Sequence, residues 1–494
     1  MNLLKIIEKT GNRLPDPATL FVIGTLIVFI LSLFFFHLGS SVVDPKGNTI
    51  SAFNLVSAEG VWWLLSTMVD NFVRFPPLGI VLVGMLGIGL AEKTGFLPAL
   101  IHFCITHVNA RLLTPATMLL GILSSIALDA GYVVLVPLAA ALYIAAGRSP
   151  LTGIAVSFAG VSAGFSANFF ITALDPLLAG FTQSSAQIID PEYQVAVTGN
   201  WWFMIVSTLL LTIVGWLVSD YIVEPSVKGV ANQNLENKHK QLGDKEKRAL
   251  LYSVISVFVL LIVLFLSVTL SSGPLYGMGK RFDRWIEVTV PLLFIIFFIP
   301  GFIYGVLSGT IKTDRDVAEI LGDVMSRLGP YIVLAFFAAQ FIASFNQSGL
   351  GQMLAISGGQ FLRDLMIHDA FLLSCFVLMA VVINLVIGSS SAKYAFFAPV
   401  FVPMLMQVGI SPELTQAAYR VGDSVSNVIT PMNPYMIIIL IEVKRYVRGS
   451  GLGTVVAMML PYTITFLIAW LLLLVIWIYS GFPLGPGGSL SYSL

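Results

Sequence analysis

The sequence predicts an all-α polytopic membrane protein: about nine transmembrane helices plus two re-entrant hairpins, arranged as inverted repeats with two broken helices. Three observations predict it. Apolar runs long enough to span a bilayer recur along the chain, charged residues are scarce, and polar, breaker-rich motifs interrupt segments that are otherwise apolar. Of 494 residues, 57% are hydrophobic and 11% charged, against about 25% charged in a soluble domain. The 26 basic and 26 acidic residues balance. That balance argues neither for nor against nucleic acid, but no basic domain exists to bind one. Cys104 and Cys375 lie in apolar stretches and read as small buried side chains, not as a disulfide or metal ligands.

The opening "MNLLKIIEKTGNRLPDP" is amphipathic and lacks a cleavage site. It reads as an interfacial helix over residues 1–17, with a frayed terminus as the plainer alternative. Lys5, Lys9 and Arg13 put this end in the cytoplasm, and Lys228, Lys238, Lys240, Lys245, Lys247 and Arg248 do the same for the long polar stretch that follows Val223. An even number of crossings must separate the two. Four fit: Leu20 to Leu38, Pro77 to Ala91, Leu151 to Leu178, and Trp201 to Val223. The apolar stretch from Leu113 to Gly147 is broken at "SSIALDAGY" into two limbs too short to cross, with Arg111 and Arg148 at its feet. It reads as a hairpin entering from the cytoplasm. "HFCITHVNARLL", before it, is an interfacial arm or part of another span.

Leu250 to Leu270 and Trp285 to Leu307 cross next, and Lys312, Arg315 and Arg327 mark an inside loop. Tyr331 to Phe345 then crosses outward. Two more limbs, Ala370 to Ile387 and Tyr394 to Val408, are broken at "GSSSAK", and their feet carry no Lys or Arg. This hairpin therefore enters from outside. Leu414 to Val443 crosses back, and Leu452 to Tyr479 crosses last, leaving the C-terminus external. The closing "GPGGSLSYSL" reads as a flexible tail.

The halves also match each other. With Tyr132 set on Tyr394, an offset of 394 − 132 = 262, Pro137 meets Pro399 and Gly147 meets Gly409 without gaps. Ser149-Pro150 meets Ser411-Pro412, Gly160 meets Gly422, and Ser162 meets Ser424. Equivalent units of opposite charge-assigned orientation are the mark of a secondary transporter. "GVSAGFSANFFITALDP" and "YRVGDSVSNVITPMNPYM" then become equivalent interruptions of two crossings, each facing the tip of its own hairpin. Gly160, Gly164 and Gly422 are expected to supply unusual backbone angles, and Pro176, Pro431 and Pro434 to remove helical donors.

Such breaks suit ions. Freed carbonyls with Ser, Asn and Asp oxygens offer hard ligands to sodium, from Ser124, Asp129, Ser162, Asn168, Ser390, Asp423, Ser424 and Asn427. Asp423 is equally able to carry a proton. Half-helix N-termini favour an anion. Arg420 is a natural fork for a carboxylate, with an Arg420–Asp423 pair one helical turn apart as the plainer alternative. His102 and His107 have the wrong spacing for one metal-binding face. No catalytic set is present, which argues against an enzyme. An ion channel would need a continuous polar pore, whereas polarity here concentrates at two breaks.

On "SAGFSANFFITALDPLLAG", "GSSSAKYAFFAPVFVPM" and "YRVGDSVSNVITPMNPY", the chain resembles the p-aminobenzoyl-glutamate transporter (AbgT) family over nearly its whole length. The resemblance implies a homodimer in a bacterial inner membrane, moving p-aminobenzoyl-glutamate or, as in some similar pumps, expelling sulfonamides, without a cofactor other than a coupling ion. It divides the chain into a scaffold (residues 18–75, 181–327 with a cytoplasmic loop at 224–248, and 444–494) and a transport unit (repeat 1, residues 76–180; repeat 2, residues 328–443). It gives Asp175, Asn384, Pro412, Arg420 and Asp423 as substrate-site positions. One departure is Tyr394, where the family often has Trp. Either ring stacks on a benzoyl group, but Tyr adds a hydroxyl and loses area.

Overall fold

The computed structural model describes residues 16–43, 47, 49–127, 131–227 and 242–493. The expected interfacial helix, most of the loop at 224–248, and Asp129 lie outside the described residues.

The protein is helical apart from a small β-hairpin pairing Ser41–Val43 with Thr49–Ser51. Among the described residues, seven helices are long and apolar enough to cross a membrane, or eight if one sharply bent pair counts as a span. Two further expected crossings are interrupted as the breakers demand. One runs as Pro150–Phe158, a π segment Ala159–Ala163, a non-helical stretch, and Leu174–Ala186. The other runs as Pro412–Val425, a break, and Met436–Tyr446.

The hairpins are also present. The first has limbs Leu113–Leu123 and Val136–Ala145, the second Asp369–Asn384 and Ser390–Met406. Element boundaries keep the sequence offset: 412 − 150, 436 − 174 and 409 − 147 all equal 262. Gly147 and Gly409 both turn the chain with positive φ, +71° and +91°, a conformation that favours glycine. The arm Phe96–Thr106 bends by 113° from Ala110–Ile126, and its 11 residues reach only about 16 Å at 1.5 Å per residue. It is an arm rather than a span.

Burial separates interior from periphery. All 14 residues of Pro412–Val425 are buried despite their polar content, whereas Asp244–Thr269 buries only three of 26. Its exposed Leu, Ile, Val and Phe side chains suit hydrocarbon, which costs nothing to face when no water is present.

Four expectations need correction. Residues 18–75, expected to hold a first span and an external loop, also contain a helix, Ala58–Val73, capped by Ser57. It packs on Gly329–Gln347 through Asn71 Nδ2 donating to Gln340 Oε1 (3.2 Å) and Gln340 Nε2 donating to the Met68 carbonyl (2.9 Å). Its outer face is apolar, with Val61, Trp62, Leu65, Val69 and Val73 exposed, and Ala58–Lys93 together counts among the seven candidate spans.

Gly160, Gly164 and Gly422 do not adopt positive φ. They are small because hairpin limbs press on them. A Cβ on Gly160 would stand 2.7 Å from the Met118 carbonyl, and one on Gly422 would stand 2.5 Å from the Val377 carbonyl. Each broken helix is thus seated backbone to backbone on the first limb of its own hairpin.

The tail is not loose. Ile410 bridges Ser491, Tyr492 N–H donates to the Gly409 carbonyl (2.7 Å), Ser411 Oγ donates to the Ser489 carbonyl (2.7 Å), and Thr198 Oγ1 to the Pro486 carbonyl (2.7 Å). Its glycines let it lie against Thr198 and Gly199. Finally, Cys375 is exposed and Cys104 half-buried, so neither is a core residue.

Candidate functional site: two buried ion pairs where a hairpin meets both broken helices

The site forms where the tip of the second hairpin meets both breaks. Pro412–Val425 carries Tyr419, Arg420 and Asp423 at i, i+1 and i+4, so Tyr419 and Asp423 share a face and Arg420 points about 100° away. That geometry sends the two charges to different partners. Arg420 Nη2 donates to Asp175 Oδ1 at 2.7 Å. Asp423 Oδ1 is 2.6 Å from Lys393 Nζ on the second limb of the hairpin. The Arg420–Asp423 pair, the plainer alternative from the sequence, does not form, because each charge has a neutralising neighbour elsewhere. Side chains of Arg420, Lys393 and Asp423 are each only 1% exposed.

Asp175 sits in the first turn of Leu174–Ala186, where the helix dipole favours a carboxylate. Its Oδ2 accepts from Thr172 N–H (2.6 Å) and Thr172 Oγ1 (2.9 Å). Asn384 ends the first hairpin limb. Its amide donates to the Asp423 carbonyl (2.6 Å), Ser426 Oγ (2.9 Å) and Asn427 Oδ1 (2.8 Å), and its Oδ1 accepts from Lys393 Nζ. The Tyr419 hydroxyl donates to the Ser390 carbonyl (2.7 Å) and lies 3.1 Å from Asp423 Oδ1. The hairpin tip is thereby stitched to the break it faces.

The two breaks also touch each other. Asn427 Nδ2 donates to the Ser162 carbonyl (3.3 Å), Asn433 Nδ2 to Ser162 Oγ (3.0 Å), and Ser166 N–H to Ser424 Oγ (3.2 Å). Asn168 instead faces the first hairpin, donating to Ser125 Oγ at 3.0 Å. Ser124 turns its hydroxyl to the Gly121 carbonyl (2.7 Å), and Ser390 Oγ is buried with no partner among the described residues. Ser162, Asp423, Ser424 and Asn427 are therefore brought together, whereas Ser124 and Asn168 belong to the other hairpin.

Tyr394 is fully buried. Its hydroxyl is 2.7 Å from Thr182 Oγ1, and its ring lies 4.4 Å from that of Tyr419. Pro412 opens the helix behind the Ser411 cap, eight residues and so about 12 Å along the axis from Arg420. It shapes the foot of the helix and is not beside the charges. Among the charged groups at the centre, Arg420 Nε and Asp423 Oδ2 have no partner among the described residues, and neither do the hydroxyls of Ser166 and Ser390 beside them.

Lys393 is the residue that sequence reasoning missed. "GSSSAK" reads as a break, yet its lysine, between apolar limbs, carries the same intramembrane signal as Arg420. Among the described residues no cluster of His, Cys, Asp and Glu is suited to a transition metal.

Comparisons with known proteins agree along the whole chain. The p-aminobenzoyl-glutamate transport protein of Escherichia coli (strain K12) is 33% identical over 485 residues, covering 97% of this chain and 95% of that protein. The crystal structure of the Alcanivorax borkumensis YdaH transporter superposes with a TM-score of 0.91 at 41% identity, covering 96% of this chain and all of that one. Neisseria gonorrhoeae MtrF, described with a class of antimetabolite efflux pumps, superposes with a TM-score of 0.90 at 39% identity, covering 98% of this chain and all of that one. The family match, to the AbgT putative transporter family, extends over residues 2–492. The chain is a multi-pass membrane protein that belongs to the AbgT transporter family.

Proposed function

We propose that this protein is an ion-coupled secondary transporter of a small organic anion, p-aminobenzoyl-glutamate or a related antimetabolite, working as a homodimer in a bacterial inner membrane. The observation that carries the reading is Arg420, a guanidinium enclosed on a broken helix, bound through one nitrogen to Asp175 and with Nε unpartnered among the described residues. A planar fork with spare donors suits a carboxylate. Asp175 and Asn384 frame the same centre, and Tyr394 lies beside Tyr419 where an aromatic substrate ring has stacking partners once the site opens. Asp423 is the seat of the coupling cation, sodium or a proton, because it is the neighbour in sequence of Ser424, whose hydroxyl accepts from Ser166 N–H where the two breaks touch.

The charge assignments give the N-terminus to the cytoplasm and the C-terminus to the outside. Uptake of labelled p-aminobenzoyl-glutamate into proteoliposomes tests the proposal. A sodium or pH gradient should drive accumulation, and Asp423→Asn should remove dependence on that gradient. Movement indifferent to both gradients would reject ion coupling, and no movement of the substrate under any condition would reject the substrate class.

A further inference from the structure

The four charged groups of the site balance: Arg420 with Asp175, and Lys393 with Asp423. Each cargo-binding group is held on one side only. Arg420 uses Nη2 for Asp175 and leaves Nε free, while Asp423 uses Oδ1 for Lys393 and Tyr419 and leaves Oδ2 free among the described residues. The Asn384 amide also bonds both members of the Lys393–Asp423 pair, and the same helix carries Arg420, paired with Asp175, and buried Glu413, which accepts from Tyr193.

Both partners are tethered, and both resemble what the site is proposed to carry. Asp175 gives Arg420 a carboxylate, and Lys393 gives Asp423 a compact cation. Asp175 is also secured independently of Arg420, through Thr172.

We propose that Asp175 and Lys393 are internal stand-ins for the two cargoes, so that the organic anion and the coupling cation must load together. The inference rests on the proposed function and adds its coupling rule. With neither cargo the site is neutral. A carboxylate alone displaces Asp175 and leaves one uncompensated negative charge in a low-dielectric interior. A cation alone displaces Lys393 and leaves one positive charge. Joint loading cancels the carboxylate seated on Arg420 against the cation seated on Asp423, and the second carboxylate of p-aminobenzoyl-glutamate only adds to the demand for a cation, since charge imbalance within the membrane is strongly disfavoured. The singly loaded forms are therefore sparsely populated, and each cargo raises the affinity for the other by the same factor.

The test is calorimetric titration of the purified full-length protein with p-aminobenzoyl-glutamate. Sodium is exchanged for N-methyl-D-glucamine at fixed ionic strength in one series, and pH is varied in another. In wild type, affinity should rise with sodium or with proton concentration. Asp175→Asn keeps an acceptor for Thr172 but removes the competing charge. It should bind the anion about tenfold tighter, since a competitor that ties up Arg420 lowers apparent affinity to the fraction of sites it leaves free, here about a tenth, and its cation dependence should shrink. Lys393→Gln should reach half-maximal stimulation at about a tenth of the wild-type cation concentration.

Weaker binding by Asp175→Asn would overturn the inference and make Asp175 a direct ligand of the substrate. Wild-type affinity independent of both cations would overturn it as well. No binding by wild type would reject the proposed function, and the inference with it, whereas binding with unaltered cation dependence in both variants rejects the inference alone. Should Asp175→Asn not fold, Lys393→Gln decides.

Discussion

Replacing Arg420 with Met removes a guanidinium whose side chain is 1% exposed and strands Asp175 opposite it. Charge centres about 4 Å apart attract by about 4 kcal/mol at an effective dielectric of about 20. Removing one member of a buried pair typically costs about 3–5 kcal/mol, most of it the penalty of the orphaned partner. Arg420→Met should therefore lose about 3–5 kcal/mol of stability. Asp175→Asn in the same chain should recover most of that loss, because replacing both charges by neutral groups is often neutral or stabilising.

The assay is unfolding in mixed micelles by titration with sodium dodecyl sulfate, followed by tryptophan fluorescence, as a double-mutant cycle. Transport separates the two roles of Arg420. The doubly substituted protein regains stability but not substrate uptake, since the carboxylate fork is still missing. If it is as unstable as Arg420→Met alone, the pair does not hold the site together, and the pairing described here is wrong. Arg420→Lys should restore little uptake, because an ammonium keeps the charge but loses the planar donors.

Asn384→Ala deletes three hydrogen bonds between the second hairpin and its break and a fourth, from Lys393, within the hairpin. At about 1–3 kcal/mol for each buried group left unsatisfied, it should cut the transport rate at least about tenfold, and an unchanged rate would show that the tip need not be tied. Gly160→Val and Gly422→Val each drive a side chain into a hairpin carbonyl. Both should lower the unfolding midpoint or block folding in expression trials, whereas substitutions at Gly453, where nothing lies within 4 Å, should be tolerated. Truncation before Leu484 removes the strap over Gly409 to Ser411 and should destabilise the foot of the second hairpin, seen as faster proteolysis there; equal resistance would restore the view of a free tail. Single cysteines at Asn109 and His368, both exposed, in a background without Cys104 and Cys375, should label with impermeant reagents from opposite sides of the membrane. Labelling from one side would defeat the inverted-repeat topology.

Much was legible in the sequence because a bilayer imposes simple rules. Apolar length gave the spans, and Ser-Pro, Gly and broken apolar runs gave the hairpins and both interrupted crossings. The 262-residue offset, found from Tyr132 and Tyr394, recurs in the starts of four helical pieces because breakers act locally on the backbone. Arg420 and Asp423 stood out for the same reason: hydrocarbon tolerates neither without a partner. The helix Ala58–Val73 is less legible because Glu59, Asp70 and Asn71 cut its apolar run well below the length of a span.

Partner choice was decided only by tertiary structure. Arg420 takes Asp175, 245 residues away, rather than Asp423 one turn along its own helix, since the two side chains leave the helix in different directions. Lys393 reaches Asp423 because the hairpin folds its tip against the break, a contact no periodicity encodes. The glycines looked like hinges in one dimension and are contact surfaces in three, where two backbones approach too closely for a Cβ. The tail, polar and glycine-rich, carried every sign of flexibility, yet its backbone groups find partners at residues 409 to 411. A sequence records which groups must be satisfied, and the packing of distant segments determines which groups satisfy them.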